Sequence, residues 1–230
     1  MLDCGFGVAD TIRRLARIGM QVSDLDAIIV THEHDDHVGG VARIARRHDI
    51  PVWMSHGTWR GLEPLFAKTR VNLIEGHAAF SVGSVFVEPF PVPHDAREPA
   101  QFVFGDGALR LGVLTDAGES TRHIERTLAD CDGLVLECNH DVDMLARSKY
   151  PPRLRRRISS RLGHLDNTAA AELLSRVAGT RLCHVIAAHL SLQNNSTQLA
   201  QDALAGALGC SSDWIGVASQ DDGFDWRELK

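Results

Sequence analysis

Residues 31–37 read Thr-His-Glu-His-Asp-Asp-His, so His32, His34, Asp36 and His37 fall within six positions, directly after the apolar run Ala27-Ile28-Ile29-Val30. Imidazole nitrogen and carboxylate oxygen are the donors that borderline divalent cations accept. A polar loop whose histidines only cap a helix is the weaker reading, because histidine is scarce and three of them crowd one turn. A single closed zinc site takes four ligands at about 2.0–2.2 Å. In an extended or tightly turned segment His32 and His34 project to one side while Asp36 and His37 face a second position. The spacing therefore predicts two metals rather than one.

Such a cluster needs a rigid support. Ala27 to Val30 is short and β-branched, which predicts a buried strand that delivers the cluster at its C-terminal end, where α/β sheets carry out chemistry. Before it, Val8, Ile12, Leu15, Ala16 and Ile18 recur near helical spacing up to a stop at Gly19. After it, Gly39-Gly40 opens a helix to about His48, and Pro51–Met54 returns as a strand, making a β-α-β unit. Between Phe80 and Val113 apolar residues alternate with polar or small ones, punctuated by Gly83, Pro91, Pro93 and Gly105-Asp106-Gly107; this predicts antiparallel strands. Helices are expected around 120–130, 141–148, 166–178 and 196–208, and strands at 133–137, 182–188 and 213–218. The order of elements fits a mixed sheet sandwich with helices outside.

With 230 residues and 44% hydrophobic content the chain can bury a substantial core, and one domain spanning 1–230 is expected. A net charge of −6 argues against indiscriminate nucleic-acid binding but leaves room for a local basic groove. The five cysteines are odd in number and form no Cys-x-x-Cys pair, so neither a disulfide framework nor a zinc ribbon is indicated and a cytoplasmic setting fits. No run approaches eighteen apolar residues, so no membrane partner is expected.

The predicted strands end repeatedly in residues able to bind metal: Pro91-Val92-Pro93 leads to His94-Asp95, Leu114 to Thr115-Asp116, and Ala188 to His189. Together His-x-His-x-Asp-His, Pro-x-Pro-His-Asp, Thr-Asp-x-Gly and His-Leu-Ser resemble the metallo-β-lactamase superfamily across essentially the whole chain. Leu2-Asp3-Cys4-Gly5-Phe6, Leu136-Glu137-Cys138-Asn139-His140-Asp141, Tyr150-Pro151, Arg157-Ile158 and Gly163-His164-Leu165-Asp166-Asn167 further resemble its YycJ (WalJ)-like nuclease and phosphodiesterase branch.

The resemblance implies an αββα sandwich of two mixed sheets with outer helices. It implies that His32, His34 and His94 hold one metal, that Asp36, His37 and His189 hold the other, and that Asp116 bridges them. The metals would be zinc or manganese, since the ligand set suits several ions. Two such ions can generate a bridging hydroxide at neutral pH and stabilise both oxygens of an in-line attack on phosphorus. On this reading Asp36, Asp116 and His164 are the catalytic residues, with His164 as general acid because imidazole titrates near neutrality. A helix-cap neighbour of Asp166 and Asn167 is its plainer reading.

Asn139 and His140 could contact substrate or orient a ligand, although turn and cap chemistry explains them nearly as well. Asp3, Asp35 and Asp95 could hold ligand imidazoles or simply be solvated. Seven basic residues, Arg147, Lys149, Arg153, Arg155, Arg156, Arg157 and Arg161, precede His164. Arg155 and Arg156 are the candidate phosphate contacts. A solvated helix face or a surface for a homo-oligomer is the alternative.

The resemblance also implies two further strands ahead of Leu2-Asp3-Cys4-Gly5, which would make the N-terminal strands missing, and serine where Asp35 and Asp166 stand. The leading expectation is a metal-dependent hydrolase, a phosphodiesterase acting on nucleic acid and more specifically a DNA exonuclease, with DNA favoured over RNA. The alternatives are a thioester or lactone hydrolase on the same metals and a non-catalytic regulatory protein.

Overall fold

β-Branched residues with no polar interruption make Ile28 and Ile29 a buried strand, and the first of the histidines, His32, follows three residues after it. In the computed structural model, which describes residues 1–230, the chain divides into two units: residues 1–91 with 96–100, and residues 92–95 with 101–230. The first contains α1 (Val8–Arg17), β1 (Ile28–Ile29), α2 (Asp35–Val38), α3 (Val41–His48), β2 (Val52–Ser55), α4 (His56–Leu62), β3 (Val71–Ile74), β4 (Phe80–Val82) and β5 (Val85–Pro91). Strands β1, β2 and β3 pair in parallel, Ile28 opposite Val52 and Val52 opposite Val71, while β4 and β5 form an antiparallel hairpin around Gly83.

The expected β-α-β unit is present, with one addition. The histidine motif is neither extended nor a simple bend: His34 stands at the N-cap position, without a side-chain capping bond, of a single helical turn, α2, whose first residues Asp35 and Asp36 sit where acidic side chains offset the positive end of the helix. Ile28, Val30, Val41, Ile44, Val52 and Met54 are completely buried around this unit. Full burial of each such side chain contributes roughly 1.5–3 kcal/mol before entropy is counted. The N-terminal loop is clasped to α2, since Cys4 N donates to His37 O at 2.7 Å and Gly40 N to Cys4 O at 2.8 Å. Only glycine fits at position 5, because a Cβ there would lie 1.7 Å from the carbonyl oxygen of Asp36.

The second unit contains β6 (Ala100–Gly105, from Gln101 onward), β7 (Arg110–Leu114), α5 (Arg122–Leu128), β8 (Gly133–Glu137), α6 (Val142–Arg147), α7 (Pro152–Ile158), α8 (Asn167–Val177), β9 (His184–Ala188), α9 (Thr197–Leu208) and β10 (Gly216–Val217). Strands β10, β9, β8, β7 and β6 lie side by side in that order, parallel except for the antiparallel β6–β7 pair. The register matters for function: Leu114 pairs with Leu136 and Leu136 with Ala187, so β7, β8 and β9 end level with one another. Residues just beyond those ends are thereby brought to one edge.

Asp141, Asp166 and Ser196 cap α6, α8 and α9 through their side-chain oxygens, a contribution of about 1 kcal/mol each. Besides α2, three elements lie outside the expected ones. Helix α4 contains two glycines and α7 has only Leu154 and Ile158 as apolar positions, so neither shows a strong helical period, and β3 is half exposed with Leu73 facing solvent. All five cysteines are free thiols. No helix is long and apolar enough to cross a membrane.

Candidate metal centre

The donors of the first unit converge at the end of β1. His32 is completely buried and His37 nearly so, and the His32 ring lies 4.5 Å from that of His34 and 4.1 Å from that of His37, centroid to centroid. His32 Nε2 faces His34 Nδ1 at 2.9 Å. Asp3 fixes the third ring: its Oδ2 accepts from His37 Nδ1 at 2.7 Å, and its two oxygens accept from the backbone N–H and the hydroxyl of Thr31, both at 2.8 Å. A carboxylate can only accept, so His37 carries its proton on Nδ1 and turns Nε2 toward Asp36, 3.7 Å away. Asp36 is exposed and Asp35 points to solvent. Asp3 thus orients the His37 imidazole, whereas Asp35 touches none of the three rings.

The second unit gathers its donors around one buried carboxylate. Oε1 of Glu137 accepts from His189 Nδ1 at 2.7 Å, from His164 Nδ1 at 3.0 Å and from the backbone N–H of Asp116 at 3.0 Å; Oε2 accepts from the N–H groups of Ala117 and Leu165, both at 3.0 Å. Burial pushes the Glu137 carboxyl up, but hydrogen bonds from His164 and His189 outweigh it and leave the group below the usual carboxylate range. Five donors occupy it, which makes Glu137 the support of the site rather than a metal ligand. Asp116 Oδ1 lies 3.5 Å from His164 Nδ1 and 3.7 Å from His189 Nδ1.

His94 donates through Nδ1 to the carbonyl of Gly163 at 3.1 Å, so its Nε2 points to Asp116 Oδ1, 3.7 Å away. Burial lowers the His94 pKa against the pull of Asp116, keeping the ring neutral as a ligand must be. Gly163 has to be glycine, since a Cβ would sit 2.1 Å from the carbonyl oxygen of Ile158. Asp3, Asp116 and His189 have φ of 50°, 52° and 58°, a left-handed conformation that Asp and His tolerate better than most residues. At Asp116 and His189 this sharp turn follows directly on the ends of β7 and β9.

Of the residues the sequence predicts, the first unit brings together His32, His34 and His37 with Asp36, and the second brings together His94, Asp116, His164 and His189. The donor atoms of Asp116, Glu137, His164 and His189 all lie within 4.8 Å of one another. In that group Nδ1 of both histidines is taken by Glu137, which leaves Nε2 of each ring free; at His37 and His94 Nδ1 is likewise held, by Asp3 and by the Gly163 carbonyl, and Nε2 faces a carboxylate, a donor set that fits divalent cations. Glu137 is the functional residue that sequence reasoning missed. Its signal was an acid closing the apolar strand Gly133–Glu137.

The candidate substrate residues separate. The Asn139 amide donates to the carbonyl of His189 at 3.0 Å and so steadies the loop that carries it. His140 is buried, while Arg155 is half-buried and Arg156 exposed on α7. Not every arginine of the basic segment faces solvent alone. Arg157 pairs with Asp95 at 2.5 and 3.2 Å, and Arg161 pairs with Glu119 at 2.7 and 2.8 Å, each tying the segment to a loop that carries a donor.

This constellation defines a class. Residues 1–185 match the family described as a beta-lactamase superfamily domain, and the chain belongs to the metallo-β-lactamase superfamily, whose fold of two sheets with helices it has. Within that class it is a YycJ-like hydrolase. It is 34% identical over 214 residues to exodeoxyribonuclease YycJ of Bacillus anthracis, covering 90% of this chain and 80% of that protein. It is 32% identical over 222 residues to exodeoxyribonuclease WalJ of Streptococcus pneumoniae serotype 2 (strain D39 / NCTC 7466), covering 94% and 82%. The structure of the metallo-β-lactamase fold protein YhfI from Bacillus subtilis superposes with a TM-score of 0.74 at 16% identity, covering 98% of this chain and 85% of that one.

Proposed function

We propose that this chain is a DNA exonuclease that hydrolyses phosphodiester bonds with two divalent ions, in the cytoplasm. His32, His34 and His94 would hold one ion and Asp36, His37 and His189 the other, with Asp116 between them. When bound, the ions supply a nucleophile at neutral pH and offset charge on the phosphate oxygens.

One observation carries the choice of substrate: His164 stands beside Asp116 with its Nδ1 proton on Glu137. Its Nε2 is therefore the free ring nitrogen: it takes up a proton to make the imidazolium, held by the Glu137 carboxylate, and from that form passes it to a leaving group. The alkoxide released from a phosphodiester needs that proton, whereas a thiolate, whose conjugate acid has a pKa near 8.5, leaves without it. A thioester hydrolase gains little from this histidine. The identity to two exodeoxyribonucleases supports DNA and an end-directed cut, and the basic α7 supports a polyanionic substrate.

The test is a cleavage panel with the purified chain, supplied with zinc or manganese, on end-labelled single-stranded DNA, duplex DNA, RNA, bis(p-nitrophenyl) phosphate and a thioester. Release of mononucleotides from DNA, abolished by chelation and by His37→Ala or Asp116→Ala, is expected. Preferential thioester cleavage, or hydrolysis that persists in a folded, metal-stripped variant, overturns the proposal.

A further inference from the structure

Beyond the donors, the second unit carries a hollow of about 410 Å³ between α6 and α7, a volume in the range of small-molecule sites. Val142, Leu145 and Pro152 form an apolar wall, with Val142 53% exposed although nothing polar requires it there. Arg155 and Arg156 also line it, Arg155 half-buried and Arg156 exposed. The floor is His140 and Asp166. His140 is only 2% exposed as a residue and its Nδ1 is buried with no hydrogen-bond partner. Asp166 uses Oδ1 to cap α8 through Ala169 N at 2.9 Å, leaving Oδ2 as an acceptor.

This floor is fastened to the site already described. Asn139 N donates to Leu165 O and Asn167 N to His140 O, both at 2.9 Å, so the hollow is built on the residues flanking His164. Its frame is closed by the Arg155 guanidinium, which donates to the carbonyl of Ala146 across the α6–α7 junction.

We propose that this hollow is a nucleotide subsite, which seats the base and sugar of the strand's terminal nucleotide while Arg156 holds its phosphate. A nucleotide matches each part of the lining. The flat faces of a base suit the apolar wall, an exocyclic amino group suits Asp166 Oδ2, a ring nitrogen suits the unpaired His140 Nδ1, and the phosphate suits a planar guanidinium. A free phosphate would leave the wall unused and would meet Asp166 with like charge. A subsite for one nucleotide beside the proton donor also gives a reason for cutting at ends. The inference rests on the nuclease reading, but binding does not require turnover.

The experiment titrates the purified full-length chain with deoxyadenosine 5′-monophosphate, deoxyribose 5-phosphate, deoxyadenosine and inorganic phosphate by calorimetry. Any phosphate affinity of the metal centre is common to the first two ligands and cancels in their ratio. Deoxyadenosine monophosphate is expected to bind at least tenfold tighter than deoxyribose 5-phosphate. That ratio should collapse toward one in Ala146→Trp, which fills the hollow, and the affinity should fall in Arg156→Glu, which needs no repacking. Arg47→Glu, on α3, should change neither. Equal binding of the two phosphates, or a ratio that survives Ala146→Trp together with an affinity that survives Arg156→Glu, overturns the subsite. Loss of DNA cleavage with the ratio intact would instead count against the nuclease reading alone.

Discussion

Nδ1 of His164 donates to Oε1 of Glu137 at 3.0 Å, inside a carboxylate that is wholly buried and also holds His189. The pair sets which nitrogen of His164 can give up a proton. Glu137→Gln would keep the shape but place an NH2 group against N–H donors, leaving at least one buried donor unpaired at a cost of about 1–3 kcal/mol. A lower melting temperature and a fall in kcat of tenfold or more are expected, measured by thermal denaturation and steady-state hydrolysis. A variant that melts and turns over like the parent would remove Glu137 from the machinery.

His164→Ala separates proton donation from support. General acids contribute about 10²–10⁴-fold, so kcat on DNA should fall by that order while bound metal stays constant. On bis(p-nitrophenyl) phosphate, whose leaving group needs little protonation, the loss should be much smaller. Equal losses on both substrates would show that His164 acts in some other way.

Asp3→Asn probes the first unit. Asparagine tolerates the φ of 50° found at Asp3, so the backbone is spared, but its amide is a weaker partner for the imidazole of His37. Replacing the partner of a ligand histidine typically costs 10–100-fold in metal affinity. Competition with a metal-binding dye should show that shift, and an unchanged affinity would reduce Asp3 to a loop anchor.

Much of this site was legible because its donors announce themselves. His32, His34, Asp36 and His37 share one short segment, and His94, Asp116 and His189 each follow an apolar run that forms a strand, β5, β7 and β9. The register that levels β7, β8 and β9 was not legible, since pairing Leu114 with Leu136 and Leu136 with Ala187 is a long-range fact. For the same reason Glu137 was passed over: its partners Asp116 and His189 lie 21 and 52 residues away, and one acid at a strand end does not say what it faces. Helix α2 escaped because the motif has no apolar period, and α7 because arginines dominate it.

The basic segment divides by partner. Arg157 and Arg161 are held by Asp95 and Glu119, and Arg155 donates to the Ala146 carbonyl, so reversing Arg155 and Arg156 addresses arginines of α7 that have no carboxylate partner. Each phosphate contact adds about 0.9 to the slope of log affinity against log salt on duplex DNA. The double variant Arg155→Glu with Arg156→Glu should bind DNA more weakly and lower that slope by about two, read from fluorescence anisotropy at several salt concentrations. Parallel slopes for parent and variant would take α7 out of the substrate path.

Stability toward acid should depend on Asp132, which sits just before β8 and anchors its start. Arg181 donates to both its oxygens, at 2.9 and 3.0 Å, and the Arg110 N–H adds a bond at 2.7 Å; the guanidinium foremost holds this carboxyl below the usual range, despite opposition from burial. A carboxyl whose pKa is depressed by folding stabilises the native state above its unfolded pKa, about 3.9, and loses that contribution as pH falls through the lower folded value. Asp132→Asn keeps an acceptor for Arg110 but removes the charge. The variant should therefore melt below the parent at pH 7, with the gap narrowing as pH drops below about 4. Added salt should narrow it at neutral pH as well, because half of the Arg181 side chain is exposed and the pair is open to screening. A gap that stays constant from pH 7 to about pH 3 would mean that the ion pair does not contribute through its charge.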